Sequence, residues 1–297
     1  MSTISAALSR RFSSFQTAVV VIHNGKLSGE LSHRILFAGM GHIISIANQK
    51  GGVGKTTTAV NLSASLAVTE VATLLVDADP QGSATSGVGF SKEALNGTVY
   101  HALIDKASFR DIIKDTAIPH LRIATANADL IGAEIELINE IGREKRLKNV
   151  LKDVRGEYEY IFIDCPPSLG LLTVNALTAC DSVLIPLQCE YYAMEGLTQL
   201  LRTIRLVKEY LNPDLRIEGI LLTMHDVRNN LSRQVADEVR THFKAKVFDT
   251  IIPRNIKLSE APSYGKPAIL YDPRSRGAQS YIELAQELIK NGKRNYG

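Results

Sequence analysis

The chain has 297 residues, 45% of them apolar, with a formal charge of +3. That supplies a large core, and no apolar run approaches the ~20 residues of a membrane-spanning helix. Cys165, Cys180 and Cys189 are odd in number and lack C-x-x-C spacing, so reduced thiols are expected rather than a disulfide framework, a zinc site or an iron–sulfur cluster.

Residues 1–39 set Arg10, Arg11, Lys26 and Arg34 against one acid, Glu30, among many serines. The segment is superficially like a transit peptide. It reads as an over-extended start or disordered tail ahead of a single domain spanning 40–297. The apolar, β-branched run 43–47 predicts a buried strand, and 57–68 predicts a helix with Val60, Leu62, Leu66 and Ala67 facing a sheet. Between them lies Gln49-Lys50-Gly51-Gly52-Val53-Gly54-Lys55-Thr56-Thr57. The glycines let successive N–H groups curl inward around phosphate oxygens. Lys55 suits the β- and γ-phosphates, and the Thr56 hydroxyl suits Mg²⁺. The match to G-x-x-x-x-G-K-[ST] is loose, because the first glycine would fall at Asn48 or Gln49. A strand, a glycine loop and a helix N-terminus in succession still form an anion site.

The string KGGVGKTT resembles the deviant Walker A motif of the ParA/MinD family of ATPases. The resemblance implies ATP and Mg²⁺ as cofactors, with residues 50–57 around the phosphates. It also implies that Lys50 crosses a dimer interface to the partner's nucleotide, as an arginine finger does. Chains of this family usually begin near Met40.

The next predicted strand, 73–76, runs into Asp77-Ala78-Asp79-Pro80-Gln81-Gly82, which places carboxylates where open α/β sheets bind ligands. DADPQGSATSG resembles the family's second signature, which makes Asp79 the catalytic carboxylate that positions water, with Asp77 structural or outer-shell. Residues 83–120 are polar and turn-rich and carry little signal. A strand is predicted at 121–125 and helix at 133–137 and 147–154, with Arg143, Glu144, Lys145 and Arg146 as a solvated face. Tyr160-Ile161-Phe162-Ile163-Asp164 is an apolar strand ending in one acid, the Walker B pattern, so Asp164 would face the Mg²⁺ shell opposite Thr56. Pro166 and Pro167 stop the strand at a place suited to a γ-phosphate-sensing loop, and Cys165 reads as an inert, buried thiol.

Further strands are predicted at 182–186 and 217–223, an amphipathic helix at 194–210 and a closing helix at 279–288. Ile252-Pro253-Arg254-Asn255 resembles the family's adenine-side loop, which implies that Pro253 packs on the base and Asn255 hydrogen-bonds it. Alternating strands and helices predict an α/β fold: a doubly wound, mostly parallel sheet with helices on both faces, here a P-loop NTPase of the deviant Walker A type.

Residues 216–297 hold 14 Lys+Arg against 9 Asp+Glu, so the positive charge is concentrated there. Arg228, Arg233, Arg240, Lys244, Lys246 and Lys257 are candidates for one surface. The resemblance implies non-specific double-stranded DNA binding through Arg228 and Lys257, an ATP-bound homodimer, a ParB-type partner that stimulates hydrolysis, and a cytoplasmic, nucleoid-associated chromosome or plasmid partitioning ATPase with weak intrinsic activity. The alternatives are a MinD-like membrane-surface ATPase, which requires a lipid-binding C-terminal helix, and an iron–sulfur or biosynthetic enzyme on the same fold. The end of the chain, with Gly292 and few apolar residues beyond it, argues against membrane attachment.

Overall fold

The computed structural model describes residues 41–191 and 193–295; the sequence reading of 1–39 lies outside them. The strands are β1 (His42–Ile46), β2 (Thr73–Asp77), β3 (Ile113–Asp115), β4 (Leu121–Ala124), β5 (Tyr160–Asp164), β6 (Ser182–Gln188) and β7 (Arg216–Thr223). They form one sheet in the order β3-β4-β2-β5-β1-β6-β7. All neighbours are parallel except β3, which runs antiparallel to β4 at the edge.

Side chains alternate across a strand, and here both faces are covered. Ile43, Leu74, Val76, Ile161, Ile163, Val183 and Ile185 share one core with the helices of that face. Those helices include α3 (Leu130–Glu136), α4 (Arg146–Leu151), α5 (Leu171–Ala179), α6 (Ala193–Tyr210) and α7 (Asn230–Phe243), which follow α1 (Lys55–Ala67) and α2 (Ser83–Gly87) in the chain. The intervening residues Ile44, Ile46, Leu75, Phe162 and Leu184 are fully buried as well. Two further helices, α8 (Ile256–Glu260) and α9 (Arg276–Asn295), complete the set used below. The last of these packs along α1.

The apolar face of α9, with Tyr281, Leu284, Ala285 and Leu288 buried, fixes it to the domain. The Tyr281 hydroxyl lies 3.1 Å from Thr58 Oγ1, and Asn61 Oδ1 accepts the Ala268 N–H at 2.7 Å. This helix continues through Gly292, longer than the predicted 279–288, because packing overrides the propensity cost of one glycine. Gly219 in β7 leaves room for Phe248, whose ring would lie 2.5 Å from an added Cβ. The predicted solvated face at 143–146 is partly inward: Arg146 pairs with Asp105 and Glu140, and Arg143 pairs with Glu144.

Candidate functional site

Register brings the site together. Asp164 at the end of β5 lies opposite Ile46 of β1 on one side and Asp77 of β2 on the other. Three neighbouring strands therefore end level, and the loops leaving them, 47–54, 78–82 and 165–170, share one edge of the sheet. Ligands bind at this carboxyl edge in open α/β sheets.

The glycine loop is held from several sides. Asn48 is buried; its Nδ2 donates to the Pro186 carbonyl of β6 at 2.8 Å, and its Oδ1 accepts the Lys50 N–H at 3.0 Å. From β7, the Thr223 hydroxyl donates to the Val53 carbonyl at 2.8 Å. Gly54 caps α1 at φ 91°, a left-handed conformation that disfavours any side chain, and no side chain caps the helix. The first N–H groups of α1 thus remain available to an anion. Asn48 and Thr223 were not picked out as site residues from the sequence. Asn48 had a signal, since it stands where the standard loop starts; the Thr223 contact spans 170 residues and had none.

Lys55 is 6% exposed, with its Nζ 3.0 Å from the Lys50 carbonyl oxygen. Burial lowers its pKa, opposed by the charges of Asp164, Cys165 and Asp79. Asp164 is buried with neither carboxylate oxygen accepting a hydrogen bond. Burial, with Asp77 and Asp79 adding repulsion, pushes its pKa well above the usual carboxylate range, while the nearby Thr56 hydroxyl and Lys55 pull it down. A buried carboxylate without a partner facing a threonine hydroxyl at the mouth of a phosphate loop fits Mg²⁺, whose shell is built of hard oxygen donors and water. Thr56 and Asp164 are the residues that would hold the ion and its waters, and it would supply charge neutralisation of the phosphates.

Asp77 is structural. Its Oδ2 accepts from the Thr85 N–H and hydroxyl, both at 2.7 Å, tying α2 to the strand end, and its Oδ1 accepts the Asp79 N–H at 3.2 Å. Burial pushes its pKa up to about 6. Those bonds set the loop that presents Asp79, whose Oδ1 accepts the Gln81 N–H at 2.9 Å. Asp79 is itself buried, one strand away from the loop of Lys55.

Lys50 behaves differently from Lys55. Its Nζ turns outward to Glu190 at 2.8 Å, on the rim of a cleft of about 490 Å³ lined by Gln49, Pro167, Ser168, Glu195 and Gln199. Pro253 and Asn255 come near the loop through the end of β7: Ile252 N–H donates to the Leu222 carbonyl, next to Thr223. Asn255 caps α8, its Oδ1 accepting the Lys257 N–H at 3.0 Å, which leaves its Nδ2 for other use. Arg228 and Lys257 stand on segments that run side by side, with His225 bridged to Pro253 and the Arg254 N–H donating to the His225 carbonyl. Both cations are ion-paired locally, Arg228 with Asp226 at 3.1 Å and Lys257 with Glu260 at 2.8 Å. The three cysteines are buried free thiols; burial pushes Cys180 to about 12, Cys189 to about 11 and Cys165 well above its ordinary value.

Comparison with known proteins agrees with this geometry. Residues 41–217 match a family described as an AAA domain. The chain is 61% identical over 253 residues to the sporulation initiation inhibitor protein Soj of Bacillus subtilis, covering 85% of this chain and 100% of that one. It is 58% identical over 254 residues to the chromosome partitioning protein ParA of Myxococcus xanthus, covering 86% and 90% of the two chains. Among solved structures, cobyrinic acid a,c-diamide synthase from Mycobacterium smegmatis with bound ADP and magnesium superposes with a TM-score of 0.76 at 38% identity, over 86% of this chain and 96% of that one. The biosynthetic neighbour shares the fold at lower identity, whereas identity above half across nearly the whole domain is reached with Soj and ParA. The chain therefore belongs to the Soj/ParA family of chromosome-partitioning ATPases, which work with ATP and Mg²⁺.

Proposed function

We propose that two copies close over two ATP molecules, that the closed dimer holds double-stranded DNA without sequence preference, and that a ParB-type partner triggers hydrolysis and release. The observation that carries this reading is the division of labour between the two loop lysines. Lys55 is buried against its own loop, while Lys50 is 37% exposed and paired outward with Glu190. An outward cation on the rim of a phosphate site can complete a neighbour's site, placing charge against a transferring phosphoryl group only when two subunits meet. Within each site, residues 50–57 cradle the phosphates, Asp79 positions the attacking water, Thr56 and Asp164 serve the Mg²⁺ shell, and Pro253 and Asn255 hold the adenine.

Arg228 and Lys257 would make the DNA contacts, on loops brought together by the bridge between His225 and Pro253. Contacts to phosphate give affinity without sequence information, which suits a protein carried on the chromosome; on this reading it works at the nucleoid in the cytoplasm. The membrane-surface alternative needs a free apolar face on the last helix. Here Tyr281, Leu284 and Leu288 of α9 are buried in the domain, which supports the DNA-bound reading instead. The test is binding to a random duplex with ATP, ADP or no nucleotide across a salt series. Binding that requires ATP and falls steeply with salt is expected; ATP-dependent pelleting with anionic vesicles and no DNA binding would reverse the assignment.

A further inference from the structure

The loop that presents Asp79 is clasped from outside as well as from the sheet. Asp79 heads a tight turn: its Oδ1 accepts the Gln81 N–H at 2.9 Å, and its carbonyl accepts the Gly82 N–H at 2.9 Å. Gly82 then enters α2 at φ 59°, a left-handed conformation. On the sheet side, Thr85 of α2 donates twice to Asp77, and its hydroxyl accepts the Ala126 N–H at 2.9 Å.

The outer side belongs to Lys92, which stands in one turn of 3₁₀ helix at Lys92–Ala94. Its Nζ donates to the Gln81 carbonyl at 2.9 Å. Its stem crosses Gly82 so closely that an added Cβ there would lie 2.6 Å from Lys92 Cδ, and the same Cβ would lie 2.7 Å from the Ala126 carbonyl oxygen. The peptide joining Gln81 to Gly82 is thus held between Ala126 and a lysine laid over it. A lysine suits this place because its apolar stem packs while its charged head reaches beyond. The neighbouring acid does not claim that head, since Glu93 accepts from the Ser91 hydroxyl at 2.5 Å.

We infer that Lys92 is a positioning residue for hydrolysis. It fixes the backbone of Gln81, whose N–H orients the Asp79 carboxylate. Orientation of this kind acts on the chemical step, where a misplacement of ~1 Å can cost about 10²-fold in rate. Residues 50–57 lie on a different loop, so nucleotide affinity should not depend on Lys92. This inference rests on the reading above, in which Asp79 positions the attacking water.

The test uses the full chain. Lys92→Met keeps an apolar stem over Gly82 and deletes the ammonium, whereas Lys92→Arg keeps a cationic donor. Steady-state ATP hydrolysis, ATP-dependent binding to a random duplex and melting temperature are measured for both, beside Asp79→Ala. Lys92→Met should lower kcat about tenfold, the scale of one charge-assisted hydrogen bond. KM for ATP, DNA binding and melting temperature should stay near wild type, and Lys92→Arg should recover most of the rate. Wild-type kcat in Lys92→Met would overturn the assignment. So would a slower rate that Lys92→Arg fails to recover, or one matched by an equal loss of ATP affinity or by a fall in melting temperature, because the lysine would then be structural. A wild-type rate in Asp79→Ala would instead defeat the underlying reading of Asp79.

Discussion

Lys50 Nζ and Glu190 Oε2 lie 2.8 Å apart, joining the glycine loop to the segment after β6 across 140 residues of chain. Both side chains are partly exposed, at 37% and 46%. Ion pairs in such settings are worth about 0–1 kcal/mol, so the lysine is held in place yet released at little cost when another anion presents itself. Lys50→Ala should leave ATP affinity and thermal stability near wild type while turnover falls by about 10³ or more. Single-turnover hydrolysis beside a nucleotide titration checks this; normal turnover in the variant would refute a role for Lys50 in the partner's site.

Asp164 should trade stability for chemistry. Its buried, unpartnered carboxylate is a cost in the nucleotide-free fold. Asp164→Asn should raise the melting temperature of the apo protein and abolish Mg²⁺-dependent hydrolysis, and melting scans with and without Mg²⁺–ATP measure both. The pH dependence follows the same logic. Asp77 and Asp164 have raised pKa values, so the folded state retains protons that the unfolded chain releases. That stability contribution is present below the unfolded value of 3.8 and is lost as pH rises, for Asp77 through about 6. Apo stability contributed by these groups should thus decline across this window, and Asp164→Asn should flatten the decline.

Thr223→Val keeps the shape of the side chain but deletes the donor to the buried Val53 carbonyl. An orphaned buried acceptor costs about 1–3 kcal/mol, and here the cost falls on the loop proposed to hold the phosphates. ATP affinity should drop about fivefold to a hundredfold with little change in DNA binding by whatever fraction of the protein remains saturated. Fluorescent nucleotide titration gives the first number and saturating-ATP duplex binding the second.

Arg228 and Lys257 each lean on a neighbouring acid, so a DNA phosphate bound there as proposed would compete with Asp226 and Glu260. Arg228→Glu should abolish ATP-dependent DNA binding and spare dimerisation. Asp226→Asn and Glu260→Gln should do the opposite, raising affinity several-fold at physiological salt. Removing one phosphate contact lowers the slope of log affinity against log salt by about 0.9, which a salt series on Lys257→Ala can read.

Much of the nucleotide edge was legible in the sequence because its parts are local. The glycine loop, the DADPQG turn and the acid ending β5 each sit in one short stretch, and apolar strand patterning on either side places them at strand ends. What stayed hidden is contact made only by folding. Asn48 reaching Pro186 and Thr223 reaching Val53 are set by the order of strands in the sheet, which periodicity does not encode. The edge strand Ile113–Asp115 escaped because it offers one apolar residue followed by two charged ones. Helix α7 did leave a signal, with Asn229 accepting from the Leu231 and Ser232 N–H groups as its cap and Val235, Ala236 and Val239 inward, but the basic residues around it drew the reading toward charge.

The seating of α9 on α1 has a consequence for how the protein is made. The helix that carries Lys55 is covered by residues from the last part of the chain, through Tyr281 on Thr58 and Asn61 on the Ala268 N–H. A polypeptide still emerging from the ribosome has every phosphate-binding residue in hand long before it has the cover that fixes their helix. The cover should therefore matter to nucleotide affinity, and Tyr281→Ala, which removes the contact with Thr58, should weaken ATP binding in a nucleotide titration.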